Sequence, residues 1–148
     1  MEVVDTLSFL LGTGGLARSI EDRRADALGS FRGLATVAGA PGDAPERGGW
    51  GHYQESGELR FGSRTVPAWR RLEIRRHVGG AAMLLFLDGR PFVDLDLRDG
   101  ECRRVHRCGA DRYEITTVVR SGALVEEHWR VRGPTKDYEA TTTLTRLG

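Results

Sequence analysis

Glycine-bearing dipeptides divide this chain at short, regular distances: Ser56-Gly57, Gly79-Gly80, Asp88-Gly89, Asp99-Gly100 and Ser121-Gly122. Glycine tolerates the positive φ of a tight turn, so such pairs mark places where a strand reverses. Between and around them lie runs of β-branched and aromatic residues, at 16–22, 30–38, 49–55, 58–61, 66–78, 81–87, 91–97, 101–107, 112–120, 123–132 and 136–147. One stretch alone has a helical rhythm: Val3, Val4, Leu7, Leu10 and Leu11 recur three and four residues apart until Gly12 stops them. About ten strands at spacings of about 8–12 residues, with hairpin connections and one short N-terminal helix, imply an all-β fold. A closed, up-and-down antiparallel barrel is the favoured form, because an open sheet of this length would leave long edges to protect.

Alternation along two strands indicates which side faces inward. Tyr113, Ile115, Thr117 and Val119 share one face, as do Ala123, Val125, Trp129 and Val131. Arg112, Glu114, Thr116, Glu126, His128 and Arg130 take the other, and Glu127 is read with them on the wet side. The segment 39–49, rich in glycine and proline, is a long connection, either a plain loop or a lid over a barrel mouth. No repeat or boundary divides the chain, so residues 1–148 are expected to form one domain.

Charge narrows the class of partner. The 22 basic and 21 acidic residues leave a net charge of +1, which argues against a nucleic-acid or anionic-membrane surface. The N-terminal segment carries Glu2 and Asp5 and leads into no long apolar run, so a cytoplasmic protein without a membrane anchor is expected. Cys102 and Cys108 on one strand would stand about 20 Å apart. A disulfide needs α-carbons within about 7 Å, so both thiols are read as reduced.

Lys136 is the single lysine among the 22 lysines and arginines. A guanidinium is a planar fork that stays charged, whereas an ammonium is compact and can lose its proton when buried. Two readings of Lys136 and Asp137 stand: a structural tie after the Gly133-Pro134 turn, or an amine at a barrel mouth that donates a proton together with Tyr113. His106, Cys108, Asp111 and Tyr113 bring an imidazole, a thiol, a carboxylate and a phenol into one short string. That string is either a polar network fixing strand register or part of a catalytic set. Zinc would need further ligands from the distant His52, His77 or His128, and no metal site is expected. Glu55 and Arg90 are expected to pair across the barrel, or to clamp a polar ligand group. Trp50, Trp69 and Trp129 offer rings for stacking, with core filling as the plainer role.

The strings Tyr53-Gln54-Glu55-Ser56-Gly57, Phe86-Leu87-Asp88-Gly89-Arg90-Pro91-Phe92, His106-Arg107-Cys108-Gly109-Ala110-Asp111-Arg112-Tyr113 and Trp129 through Tyr138 resemble, in order, those of an uncharacterised family of small bacterial and fungal proteins. That family is similar to the calycins, the barrel group of lipocalins, fatty-acid-binding proteins and nitrobindin-like haem proteins. The resemblance implies a calycin-like barrel and no settled activity. Two positions depart from the family pattern. Gly12-Thr13-Gly14 lacks a tryptophan expected after the helix, and Val93 replaces a histidine after Gly89-Arg90-Pro91-Phe92. Both changes would enlarge the interior and make it less polar.

The reading that follows is a barrel holding a small, largely apolar ligand, with Tyr53, Glu55, Arg90, Cys108 and Trp129 as contacts. The alternatives are a cyclase or isomerase of secondary metabolism, using Tyr113, Lys136, His106 and Asp111 to polarise a substrate carbonyl, and a scaffold whose barrel is filled by side chains. No resident cofactor is expected. Haem would require His106 or His128 to project into an apolar chamber. The sequence leaves a homodimer open.

Overall fold

A computed structural model describes residues 3–39 and 49–147. Its strands are β1 (Gly12–Asp22), β2 (Ala27–Gly39), β3 (Trp50–Phe61), β4 (Arg64–Arg76), β5 (Ala82–Leu85), β6 (Pro91–Leu95), β7 (Glu101–Cys108), β8 (Asp111–Ser121), β9 (Leu124–Arg132) and β10 (Asp137–Arg146), preceded by helix α1 (Thr6–Leu10). Strands adjacent in sequence pair antiparallel except β6 and β7, and β1 also pairs with β10, giving the order β6-β5-β4-β3-β2-β1-β10-β9-β8-β7. The sheet therefore curls into a nearly closed up-and-down barrel. Of the segment 39–49, read from sequence as a loop or lid, residues 40–48 lie outside the described residues.

At the seam, β6 and β7 meet without a backbone ladder, and side chains bridge them instead. Arg104 Nε donates to Asp94 at 2.9 Å, the Phe92 and His106 rings lie 5.0 Å apart, and the Asp96 amide donates to Cys102 Sγ at 3.4 Å.

One expected turn is absent. Ser56-Gly57 does not reverse the chain, because β3 runs through it without interruption. Gly57 lies opposite Gly33 in the β2–β3 register, and the two backbones approach too closely for a side chain. A Cβ on Gly33 would sit 2.0 Å from the Ser56 carbonyl oxygen, and one on Gly57 would sit 2.1 Å from that of Arg32. These glycines permit a close crossing within a continuous pair of strands rather than a hairpin. Residues 78–80 form a short 3₁₀ turn between β4 and β5.

Helix α1 is too short to persist by itself, so its stability comes from what it touches. Asp5 caps it by accepting from the Ser8 amide, and Arg76 reaches the Asp5 carboxylate at 3.1 Å. Arg146 donates to the carbonyls of Phe9 and Leu11 at the other end. Leu7 is buried with Val37, Ile74 and Ala82, while Thr6 Oγ1 accepts from the Leu97 amide at 3.1 Å. Burying a leucine of this kind contributes about 1.5–3 kcal/mol. The helix is therefore a plug in the end of the barrel where β1 begins and β10 ends. Among the described residues no helix is long and apolar enough to cross a membrane.

Candidate functional site

Inward-facing residues of the strands do not fill the barrel. Between the helix plug and an aromatic cluster near the opposite end lies a chamber with about 110 Å³ of free space. A single water needs roughly 10–15 Å³ by the same measure, so the space exceeds a packing defect several-fold. Leu16, Leu72, Ile74, Val93, Ile115 and Val125 form much of its wall. At the far end Trp129 and Phe92 line it, their ring centres 5.6 Å apart. Tyr113 meets Trp129 edge-to-face from behind at 6.0 Å, and His106 meets Phe92 in the same way at 5.0 Å.

Set into this apolar wall is a charged belt. Leu16 and Arg18 project from β1, Arg70, Leu72 and Ile74 from β4, and Val125, Glu127 and Trp129 from β9, each following the two-residue period of its strand. On β3 the same alternation turns Tyr53 and the buried Glu55 inward. Arg18 holds Glu55 through two bonds, Nη1 to Oε1 at 2.8 Å and Nη2 to Oε2 at 3.1 Å, while its Nε donates to Thr142 Oγ1 at 2.8 Å. The Tyr53 hydroxyl donates to Glu55 Oε2 at 2.5 Å. Arg70 approaches Glu55 at 3.5 Å and spreads over the Trp129 ring, 5.2 Å from its centre. Thr117 faces Glu127 across β8 and β9, and Glu127 faces Thr142 across β9 and β10, which continues the belt to Arg18.

Burial acts on both carboxyls of the belt, with opposite outcomes. In Glu55 the desolvation that would raise its pKa is outweighed by Arg18, Arg70 and Tyr53, which hold it below the ordinary carboxylate range. In Glu127 burial wins and raises the pKa, although Arg70, Arg18 and a 2.6 Å bond from the Trp129 indole oppose it. Tyr53 is raised by burial and then by the Glu55 charge, so its phenol keeps its proton.

The residues proposed from sequence fall into separate places. Tyr53, Glu55 and Trp129 belong to the belt. Arg90 does not pair with Glu55; it bonds Asp88 at 2.7 Å on an exposed turn between β5 and β6, because that turn lies at the rim while Glu55 sits halfway down the wall. Cys108 is exposed at the end of β7, and Cys102 is buried at the seam; both are free. Lys136, Tyr113 and Asp111 do converge, with Lys136 Nζ 2.8 Å from the Tyr113 hydroxyl and 3.1 Å from Asp111 Oδ2. They stand at the rim and not on the chamber wall. The bonds to Tyr113 and Asp111 raise the lysine pKa and so favour its charged form. Gly133 makes the arrangement sterically feasible, since a Cβ there would lie 1.9 Å from Asp111 Oδ1.

Trp69 projects outward beneath Arg71, so it offers no ring to the interior. His128 also lies outside, 3.8 Å from Glu139, and His106 packs behind Phe92, so neither imidazole projects into the chamber as a haem ligand would. Among the described residues no group of three or more His, Cys, Asp or Glu is placed to hold a metal. Sequence reading missed Arg18, Arg70 and the inward direction of Glu127. The signal for Glu127 was present, since it lies two residues from both Val125 and Trp129.

No curated protein sequence matches the chain. The model of a family of unknown function, DUF6314, matches residues 10–146. The chain belongs to this family. Among solved structures, this DUF6314 protein is similar to the S-type phycobiliprotein lyase of Guillardia theta, with 12% identity and a TM-score of 0.64 over 100% of this chain and 94% of that one. It is also similar to a de novo designed fluorescence-activating β-barrel, with 16% identity and a TM-score of 0.51 over 98% of this chain and 100% of the design. At such identities the likeness of the DUF6314 chain to both is one of fold.

Proposed function

We propose that the protein binds a small, largely apolar molecule inside its barrel. The observation that carries this reading is the chamber itself: about 110 Å³ of free space, walled mainly by aliphatic and aromatic side chains, with a few polar groups fixed on one part of the wall. Concave, mostly apolar sites with a small number of placed polar groups are the usual form of small-molecule sites. The free space speaks against a scaffold with a filled core. The two structural neighbours, one a lyase and one fluorescence-activating, are consistent with a barrel whose interior serves another molecule. The cyclase or isomerase reading finds less support, because its charged amine stays at the rim.

A titration with Nile red, a neutral dye that brightens in apolar surroundings, tests the reading. Saturable enhancement at one dye per chain is expected, together with its loss in Val125→Trp, which fills the chamber. Absence of enhancement in the unmodified protein, or equal enhancement in both proteins, would refute binding in the chamber.

A further inference from the structure

The cations of the chamber wall are not equally well matched. Arg104 has Asp94, and Arg146 is spent on the carbonyls of Phe9, Leu11 and Gly122. Arg18 occupies both oxygens of Glu55, and Tyr53 adds a third bond to that carboxylate. Arg70 is left to share what remains. One terminal nitrogen reaches Glu55 Oε2 at 3.5 Å, and its buried Nε lies 3.5 Å from Oε1 without forming a hydrogen bond. A guanidinium carries five N–H donors, so most of those on Arg70 have no protein acceptor among the described residues. The ring faces of Trp129 and Tyr53 flank it at 5.2 and 5.8 Å, fixing its plane without satisfying its edge.

The same part of the chamber holds a second unmet group. Thr117 Oγ1 is buried without a hydrogen-bond partner, although it lines the chamber beside Glu127. Glu127 accepts from the Trp129 indole at 2.6 Å and forms no ion pair with Arg70 among the described residues. The buried Nε of Arg70 and the Thr117 hydroxyl lack partners, and the rest of the Arg70 guanidinium, on a side chain 34% exposed, is open to an acceptor that the protein does not supply.

We propose that the chamber takes an apolar acid, a hydrocarbon or ring body ending in one carboxylate, with the carboxylate on Arg70 and the body against Leu72, Ile74 and Val125. This inference rests on the proposed binding of an apolar molecule and adds the chemical class of its polar end. The planar fork of Arg70 matches a carboxylate through two parallel bonds, which neither an alcohol nor an amine can accept.

Isothermal titration calorimetry at neutral pH with decanoic acid, decanol and decylamine tests it. The acid is expected to bind at least tenfold more tightly than the alcohol, with the amine weakest, and Arg70→Met is expected to bring the acid-to-alcohol ratio close to one. Should decanol bind the unmodified protein as tightly as decanoic acid, the acid preference fails and the apolar site stands. Binding of none of the three would overturn the inference and the underlying reading together. Because the three-ligand comparison uses the unmodified chain, it decides the matter even where Arg70→Met fails to fold. A ratio that stays at tenfold or more in a folded Arg70→Met would remove Arg70 as the anchor.

Discussion

The barrel contains two clusters built from the same three chemistries, a cation, a carboxylate and a phenol, at two depths. Inside, Arg18 and Arg70 surround Glu55 with Tyr53; at the rim, Lys136 joins Asp111 with Tyr113. The side chains of Arg18 and Glu55 are 16% and 4% exposed, whereas those of Lys136 and Asp111 are 40% and 20% exposed. Depth accounts for the choice of cation. Deep in the wall, a planar fork satisfies both oxygens of a carboxylate that water does not reach. At the rim, one compact ammonium serves two oxygens from different residues while keeping contact with solvent. The inner cluster is therefore strongly interdependent, and the outer one acts as a clip between the β7–β8 and β9–β10 ends.

The largest effect is expected from Glu55→Ala, which leaves Arg18 in the wall without its counter-charge. Loss of one member of a buried pair costs roughly 3–5 kcal/mol, readable by urea unfolding. A loss below about 1 kcal/mol would mean that the inner cluster is as well solvated as the rim. Its pH dependence has a definite sign. The folded pKa of Glu55 is depressed, so the stabilisation is complete above its unfolded value near 4.5 and is lost as pH falls through the folded value.

Glu127→Gln is expected to have the opposite sign and a smaller size. Its carboxyl titrates higher in the folded chain, which creates a folding cost that is absent below about pH 4.5 and grows as pH rises toward the folded value. Glutamine keeps an acceptor for the Trp129 indole and removes the charge. The variant should melt at a higher temperature than the parent at neutral pH, and the two should converge by pH 4. Identical melting at both pH values would show that Glu127 is well solvated or fully paired.

Smaller still is the effect expected for Lys136→Met. A partly exposed pair contributes about 0–1 kcal/mol, so the midpoint of unfolding should move only slightly. Smallest is that of Arg90→Ala, whose salt bridge with Asp88 is exposed on both sides and whose loss should stay within about 0.5 kcal/mol. If either rim variant lost as much stability as Glu55→Ala, the distinction between depths would collapse.

Much of the barrel was legible in the sequence because its signals are local. A two-residue period and turn dipeptides are read from neighbouring residues, and they placed nearly every strand within a few positions. Ser56-Gly57 misled for the opposite reason: the glycine is required by a strand partner, Gly33, that only the folded register brings opposite. The belt was harder to see. Arg70 is followed by Arg71, and Glu127 is preceded by Glu126, so each inward charge hides in a pair whose other member points to water. Only the two-residue period, which groups Glu127 with Val125 and Trp129 and Arg70 with Leu72 and Ile74, tells the two members apart. The deciding contacts lie across the barrel, as with Arg18 and Glu55, which are 37 residues apart.

Ligand binding inside the barrel requires the space between helix α1 and Trp129 to be hollow. Diffraction from crystals pressurised with xenon tests this directly, since xenon enters apolar cavities of sufficient size. Xenon density is expected inside the barrel, against Leu72, Ile74 and Val125. A continuous packing of side chains across that space, with xenon found only on the surface, would contradict the account.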